Sequence, residues 1–248
     1  MNVLHVGVAS LVFASTLAAQ APGHWPPDSL INTKVIPHDT PVSQVIGTMR
    51  DFTNALGVRC HFCHAGTDTL PLPQTDFAKD EKRTKLVARQ MMRMVAEINS
   101  RLDTIPDRPT PGLQVACRTC HHGISRPVPL SLVMVDTATS SGADTAISVY
   151  RALRAKYFGR DAYDFGEPSL NTAAFRLGRA GRFDDAFALL QLNEGFFPGS
   201  SNMYVVRGNV LLMKGDTTAA AVAFREAVRR DSTNGEAKGR LRDIGQQP

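Results

Sequence analysis

The residues of this chain with the clearest chemical role are two copies of the motif C-x-x-C-H. The first copy, C-H-F-C-H, covers residues 60–64, and the second, C-R-T-C-H, covers residues 117–121. In this motif both thiols add to the vinyl groups of a haem, and the histidine that follows them becomes the proximal ligand of the iron. The sequence therefore predicts two covalently attached c-type haems. The predicted attachment residues are Cys60, Cys63, Cys117 and Cys120, and the predicted proximal ligands are His64 and His121.

Two other kinds of site also use paired cysteines. In zinc ribbons the two C-x-x-C pairs usually stand about 15–20 residues apart, whereas 53 residues separate Cys63 from Cys117. Disulfide frameworks occur in exported proteins, mainly in small domains that lack a sufficient core. Neither alternative accounts for a histidine at the same place after both pairs, so haem attachment is the preferred interpretation.

Each predicted haem iron has a sixth position, which a methionine can fill. A methionine ligand raises the reduction potential, because its soft, neutral thioether favours ferrous iron. Met49 lies on an apolar helical face eleven residues before Cys60, and we predict it to be a distal ligand. Met91 and Met94 share a face of a second helix, with Met92 pointing elsewhere, and the spacing does not choose between them. Methionines on such faces also serve as core filler.

Helices are predicted to position both motifs. Apolar residues recur at helical spacing from Thr40 to Gly57 and from Asp76 to Leu102, and each stretch precedes one C-x-x-C-H motif. Aromatic residues are sparse and β-branched runs are short, which argues against a β-sandwich. The predicted fold class is therefore mainly α, with a helical multihaem cytochrome c domain over residues 20–128.

The C-terminal part, residues 146–248, is predicted to be an α–α helical domain that resembles the tetratricopeptide repeat (TPR). A period of 34 residues aligns Ala174 with Gly208, at a position where small residues allow two helices to approach closely. A generic helical bundle is the alternative interpretation. Residues 129–145, with their threonines, serines and glycine, are predicted to be a linker between the two domains.

The N-terminus is predicted to be an export signal. Residues 1–19 are apolar, contain no Lys, Arg, Asp or Glu, and end in small residues, which is typical of a signal peptide cleaved near Ala19. An uncleaved anchor is the alternative, because the first residues supply little positive charge. No later segment is apolar enough to span a bilayer, so we expect a periplasmic protein. The net charge of +5 is mild and evenly spread, which argues against nucleic-acid binding.

Three segments resemble the multihaem cytochrome c subunit of photosynthetic reaction centres. They are V-A-R-Q-M-M-R-M-V-A-E-I-N at residues 87–99, C-R-T-C-H-H-G at residues 117–123 and L-G-V-R-C at residues 56–60. The resemblance covers about residues 30–128. It implies redox partner proteins, and a membrane-bound electron-transfer complex is one candidate among them.

The same resemblance implies which methionines bind iron. Met91, the first methionine of the M-M-x-M cluster, takes the ligand position, and Met49 matches the methionine of another haem segment. Tetrahaem members of the family carry four motifs and a histidine between the methionine helix and the next motif. This chain carries two motifs and has no histidine in residues 100–116. The resemblance therefore implies a dihaem relative.

These observations predict an electron-transfer protein. Two haems of this kind would carry single electrons, and the TPR-like domain would dock a partner. The alternative is a haem enzyme with one open iron site, similar to a peroxidase or a reductase of small oxides. In a third hypothesis the repeats act as a scaffold that the haems make redox-sensitive. The chain contains no P-loop, G-x-G-x-x-G, H-E-x-x-H or G-x-S-x-G motif that would indicate another enzyme class.

Overall fold

A computed structural model describes residues 25–247 and divides the chain into two compact units. Unit 1 consists of the chain up to Thr53 together with Arg59–Val115, and unit 2 consists of Asn54–Val58 together with the chain from Ala116. The regular elements among the described residues are all helices, with no strands, which confirms the predicted mainly α class. The predicted signal peptide, residues 1–19, lies outside the described residues.

Two long helices precede the two C-x-x-C-H motifs. Helix α1 spans Val42–Leu56 and helix α2 spans Arg83–Leu102. Helix α1 follows Pro41, whose fixed φ suits a helix start, and ends before Gly57, whose φ of +65° closes the helix in the left-handed region. Both helices were expected, and α1 lies within the predicted bounds.

Helix α2 begins seven residues later than the predicted Asp76, because a local loop competes with the helix. The Oδ1 atom of Asp76 accepts hydrogen bonds from the backbone N–H groups of Ala78 at 3.0 Å and Lys79 at 3.1 Å. These bonds satisfy backbone donors outside a helix, which is how aspartate commonly delays helix formation. The amine of Lys85 then binds the carbonyl oxygens of residues 77–79 at 2.7–3.1 Å and fixes the loop.

Unit 2 is a succession of helices with its own packed interior. Two apolar clusters fill it, one centred on Tyr150 and Leu190 and the other on Phe224 and Leu241. The helices are α3 Cys117–His121, α4 Leu130–Ser141, α5 Ala143–Tyr157, α6 Glu167–Arg179, α7 Phe183–Phe196, α8 Ser201–Lys214, α9 Thr217–Arg230 and α10 Gly235–Asp243.

Helix α4 and the start of α5 occupy the segment that was predicted to be a linker, residues 129–145. Leu130, Met134 and Ala138 are buried in the larger cluster, at the four-residue spacing that places them on one face of α4. The hydroxyl of Thr137 donates to the carbonyl oxygen of Val133 at 2.7 Å, one turn earlier. The polar residues that suggested a linker are therefore accommodated within a helix.

The 34-residue period appears in the helices of unit 2. Helix α8 begins 34 positions after α6, and α9 begins 34 positions after α7. Helices α6 and α7 contact each other, as do α8 and α9. Ala174 and Gly208, which the period aligns, are both buried, and a β-carbon on Gly208 would overlap the ring of Phe224. Assignment to the tetratricopeptide repeat itself stays a prediction.

Candidate haem-binding sites

The first motif forms a tight turn. Residues Cys60–Phe62 make one turn of 3-10 helix, and the backbone N–H groups of Cys63 and His64 donate to the carbonyl oxygen of Cys60 at 3.2 and 3.0 Å. The thiols of Cys60 and Cys63 are both partly exposed, so both are accessible from solvent. The backbone of the motif therefore folds back on itself, with Cys63 and His64 both bonded to Cys60.

The start of helix α2 fastens this turn. The Lys82 amine donates to the carbonyl oxygen of His61 and, at 2.7 Å, to that of Gly66. Thr84 donates to the carbonyl oxygen of Phe62. Three carbonyl groups of an irregular segment are thereby satisfied by two side chains, which explains how the segment holds its shape without a helix or strand ladder.

His61, which lies between the two cysteines of the first motif, is only 7% exposed. Its Nε2 atom lies 2.7 Å from the hydroxyl of Thr75, which is also buried. Since a buried imidazole needs such a partner, Thr75 is what makes the buried position tolerable. Nothing in the spacing of the motif signals this partner, because it lies fourteen residues away in the loop before α2.

His64 has the properties of a metal ligand. Its Nδ1 atom is buried and has no hydrogen-bond partner among the described residues. Burial, reinforced by the positive charge of Lys85, lowers the pKa of the imidazole from 6.5 to about 4. The side chain is therefore neutral at physiological pH, which is the form that binds iron.

A cavity of ≈ 340 Å³ lies beside His64 within unit 1. Its volume falls in the range of roughly 300–1,000 Å³ that is usual for cofactor and ligand sites. Met49 of α1 and Met92 of α2 line it together with His64. The other apolar or aromatic side chains of its wall include Trp25, Leu30, Val35, Ile36, Val42, Val45, Ile46, Phe52, Leu72, Phe77 and Ala88.

Many apolar residues of unit 1 line this cavity. Among the described residues of unit 1, Ala65 is the one buried apolar residue, whereas both apolar clusters of the chain lie in unit 2. A largely apolar wall with one neutral imidazole, two thioethers and a few charged side chains, among them Lys85 and Arg89, suits a flat, largely apolar cofactor that is ligated at its centre. The residues present therefore fit a haem.

The methionines of helix α2 divide between two faces. Met92 lines the cavity, whereas Met91 is 40% and Met94 46% exposed and neither lines it. With Leu86 and Val87 they form an exposed apolar strip along α2. Sequence reasoning correctly separates Met92 from the other two but does not find its place beside His64. The assignment of Met91 to an iron stays a prediction.

The second motif lies on the short helix α3. The hydroxyl of Thr119 accepts a hydrogen bond from the backbone N–H of Ala116 at 3.0 Å, which closes the helix start. The Nδ1 atom of His121 lies 2.9 Å from the carbonyl oxygen of Ile124. Because a carbonyl only accepts, Nδ1 carries the proton and Nε2 keeps a free lone pair. A hydrogen bond from the ring nitrogen that does not bind the metal orients a histidine towards its metal.

A second cavity, of ≈ 410 Å³, borders this motif within unit 2. Cys120 and His122 line one side, and residues 161–164 of the loop between α5 and α6 line the other. The Arg118 guanidinium lies 3.4 Å from the carboxylate of Asp161, which ties the motif to the same loop. Sequence reasoning assigned no role to this loop, because it carries no motif.

The Cys63 thiol is held in its neutral form. Burial raises the pKa of the Cys63 thiol, and the hydrogen bond with Thr84 and the charge of Lys82 oppose that effect only in part. A thiol with a raised pKa is a poor thiolate ligand for a metal ion. Within residues 25–247, no three His, Cys, Asp or Glu side chains are grouped so that they could hold a metal ion.

Residues 68–156 match the family model of the photosynthetic reaction centre cytochrome C subunit. This part of the chain is cytochrome-like. The match includes α2, the second motif, α4 and nearly all of α5, and it begins after the first motif. It extends beyond the predicted limit of the resemblance, residue 128, into the segment that was predicted to be a linker. A search of curated proteins finds no match.

A membrane-spanning segment is not found among the described helices. None of them combines the length and the apolar character that a crossing requires.

Proposed function

We propose that the chain is an exported dihaem c-type cytochrome that carries single electrons between redox partner proteins. The observation that carries this proposal is that His64 and Met49 line the same largely apolar cavity. His64 directly follows the second cysteine of the pair Cys60 and Cys63. The family match over residues 68–156 supports it, because that region contains the second C-x-x-C-H motif. The uncharged apolar stretch of residues 1–19 supports export to the periplasm.

In the first site, Cys60 and Cys63 would hold the haem through thioether bonds. When bound, the haem supplies a one-electron ferric–ferrous couple. His64, with a neutral imidazole, and Met49, with a thioether, would hold the iron. The many apolar side chains of the wall would lower the polarity around the haem, which would disfavour the more highly charged ferric state and raise the reduction potential.

In the second site, Cys117 and Cys120 would attach the haem and His121 would bind its iron through Nε2. The carbonyl oxygen of Ile124 holds the imidazole in the tautomer that leaves Nε2 available. The resemblance to the reaction-centre cytochromes supports Met91 as the distal ligand. The TPR-like helices of unit 2 would dock a redox partner, for which a membrane-bound electron-transfer complex is a candidate.

The proposal is tested on protein produced together with a haem-attachment system. We expect a mass increase equivalent to two haems, haem that stays with the denatured polypeptide, and a haemochrome spectrum typical of two thioether bonds per haem. A chain that acquires no covalent haem under these conditions would refute the proposal.

The number of ligands on each haem iron distinguishes an electron-transfer protein from a haem enzyme. We expect two low-spin haems, a weak near-infrared band typical of methionine-bound ferric iron, and no binding of cyanide or carbon monoxide at low concentration. A high-spin haem that binds carbon monoxide readily in the unmodified protein would instead indicate an enzyme with one open iron site.

A further inference from the structure

One face of helix α6 lines three cavities of unit 2 in succession. The cavity beside the second motif, of ≈ 410 Å³, shares Pro168 and Thr172 with a cavity of ≈ 700 Å³. That cavity shares Phe175 and Arg179 with a third one, of ≈ 580 Å³. These four residues recur at spacings of three and four, so they lie on one face of the helix. We call the surface that these three neighbouring cavities form along this face the α6 trough.

The α6 trough begins at the second C-x-x-C-H motif. Cys120 and His122 line its first cavity, and Met213 lines its last. From Pro168 to Arg179 the helix rises by about 16 Å, a length that roughly five residues of extended chain would cover. A segment bound in the trough would therefore bring a partner to the residues that attach the second haem.

Two arginines of the trough have no ionic partner. Arg176 and Arg179 are exposed, line the middle cavity, and form no ion pair with any residue in the described part of the chain. Several other arginines of this unit form ion pairs with acidic side chains, as Arg207 does with Glu194 at 3.2 Å. The middle of the trough therefore presents two positive charges that are available to a ligand.

One acidic residue, Glu167, lines the middle cavity together with the two arginines. Its carboxylate accepts a hydrogen bond from Asn171 at 2.8 Å and keeps its charge, because the donor is neutral. Two arginines against one carboxylate leave the middle cavity with a net positive charge. Two further carboxylates, those of Asp161 and Asp164, line the first cavity.

Apolar side chains accompany the two charges. Phe175 and Val206 line the middle cavity, and Phe183 and Met213 line the last one. Arginine recognises carboxylates through two parallel hydrogen bonds, and a neighbouring aromatic surface suits the apolar side chains of an extended segment. The trough thus combines recognition of carboxylates with contact for apolar side chains.

We propose that the α6 trough docks an extended acidic segment of the redox partner, with carboxylates at Arg176 and Arg179 and apolar side chains on Phe175 and Val206. That the partner is a redox protein rests on the proposed function. The binding chemistry follows from the trough itself.

The experiment uses the holoprotein and a fluorescein-labelled octapeptide of alternating Glu and Leu, followed by fluorescence anisotropy. We expect saturable binding that weakens as salt is added, because exposed ion pairs are screened. The double variant Arg176→Glu/Arg179→Glu should raise the dissociation constant at least about tenfold, because two attractions become repulsions.

Matched controls separate docking from general charge effects. Arg151→Glu/Arg160→Glu changes the net charge equally on residues that do not line the trough and should leave the dissociation constant within about twofold. Octapeptides of alternating Gln and Leu, or Lys and Leu, should bind at least about tenfold more weakly. Equal binding of the Gln peptide, or an equal effect of both double variants, would overturn the proposal.

The outcome is independent of the haem count. A holoprotein with two haems that fails to bind the Glu peptide refutes the trough proposal alone. A protein without covalent haem that still binds the peptide refutes the proposed function alone. Far-UV circular dichroism of each variant shows that its helices are intact, and Arg176→Gln/Arg179→Gln, a milder change, should give an intermediate loss of binding.

Discussion

The backbone N–H of Gly123 donates a hydrogen bond of 2.8 Å to the carbonyl oxygen of Ala55. The turn that follows the second C-x-x-C-H motif is thereby held on the last turn of α1. At the same place a β-carbon on Gly57 would overlap the carbonyl oxygen of Gly123, so the two backbones approach more closely than side chains allow. Gly57, the glycine of L-G-V-R-C, is therefore needed because the turn after the second motif lies so close to it.

We predict that Gly57→Ala lowers the free energy of unfolding by at least about 2 kcal/mol. A left-handed conformation costs an L-residue roughly 1–2 kcal/mol, and the overlap with Gly123 adds to that cost. Urea unfolding followed by circular dichroism measures the change. The control is Gly47→Ala in the middle of α1, where a β-carbon meets nothing within 4 Å. It should stabilise the protein by about 0.5–1 kcal/mol. Similar effects of the two substitutions would contradict the close approach.

We predict that Thr75→Val destabilises unit 1 by about 1–3 kcal/mol, because it leaves a buried nitrogen of His61 without its partner. Trp25 is the single tryptophan of the chain, and its ring lies 4.8 Å from that of Phe77 at the cavity wall. Its fluorescence therefore reports unfolding of unit 1. Thr69→Val, at an exposed position of the same loop, is the control and should change the free energy of unfolding by less than about 0.5 kcal/mol.

We predict that Asp80 makes unit 1 sensitive to acid. Hydrogen bonds from Arg89, Asn32 and Lys85, in that order, hold the pKa of Asp80 well below its ordinary value of 3.8. A carboxylate with a lowered pKa in the folded state stabilises the protein above its unfolded pKa, and that contribution is lost as the pH falls through the folded value.

The test compares Asp80→Asn with the unmodified protein from pH 7 down to pH 3, with Trp25 fluorescence as the measurement. Asp80→Asn should be the less stable protein at pH 7, and the difference should shrink as the pH falls below 4. Asp51→Asn, at an exposed position of α1, should show no such convergence. A difference that stays constant with pH would show that Asp80 does not act through its charge.

We predict that Gly208→Ala destabilises the packing of α8 on α9. The added methyl group would overlap the ring of Phe224, and overpacking of this kind typically costs about 1–3 kcal/mol. Gly239→Ala in α10, where the new β-carbon meets nothing within 4 Å, should be neutral or stabilising. The melting temperature by circular dichroism distinguishes them, and a Gly208→Ala protein as stable as Gly239→Ala would rule out the tight helix contact.

We predict that Met49→Ala opens one haem iron and that Met92→Ala does not. Both side chains line the cavity beside His64, so cavity formation affects both variants and ligation affects only one. Loss of half of the near-infrared band, with new binding of carbon monoxide, is expected for Met49→Ala alone. The same spectral change in Met92→Ala, with Met49→Ala unaffected, would exchange the roles of the two methionines.

Periodic patterns made the helices predictable, and long-range contacts made the rest unpredictable. Helices α1 and α2 and the 34-residue spacing of α6 to α9 follow from apolar periodicity, which is a local signal. Helix α4 was missed because its serines and threonines resemble a linker, although the hydroxyls of Thr137 and Ser140 bond to carbonyl oxygens one turn earlier.

The candidate sites divide in the same way. The cysteines and histidines of the motifs are recognisable from their spacing alone. The partner of His61, Thr75, and the loop at residues 161–164 lie far away in sequence, and only the folded chain brings them to the motifs. Met92 could be separated from Met91 by helical spacing, but its place in the cavity depends on how α1 and α2 pack.

The distribution of buried apolar side chains has a consequence for how the protein would mature. Burial of apolar side chains is the main force that offsets the entropy lost on folding. Among the described residues both apolar clusters lie in unit 2, so helices α4 to α10 have packed interiors of their own. The apolar side chains beside His64 would be buried by a haem attached at Cys60 and Cys63. Folding of unit 1 and haem attachment would then be a single coupled event, whereas folding of α4 to α10 would not depend on it.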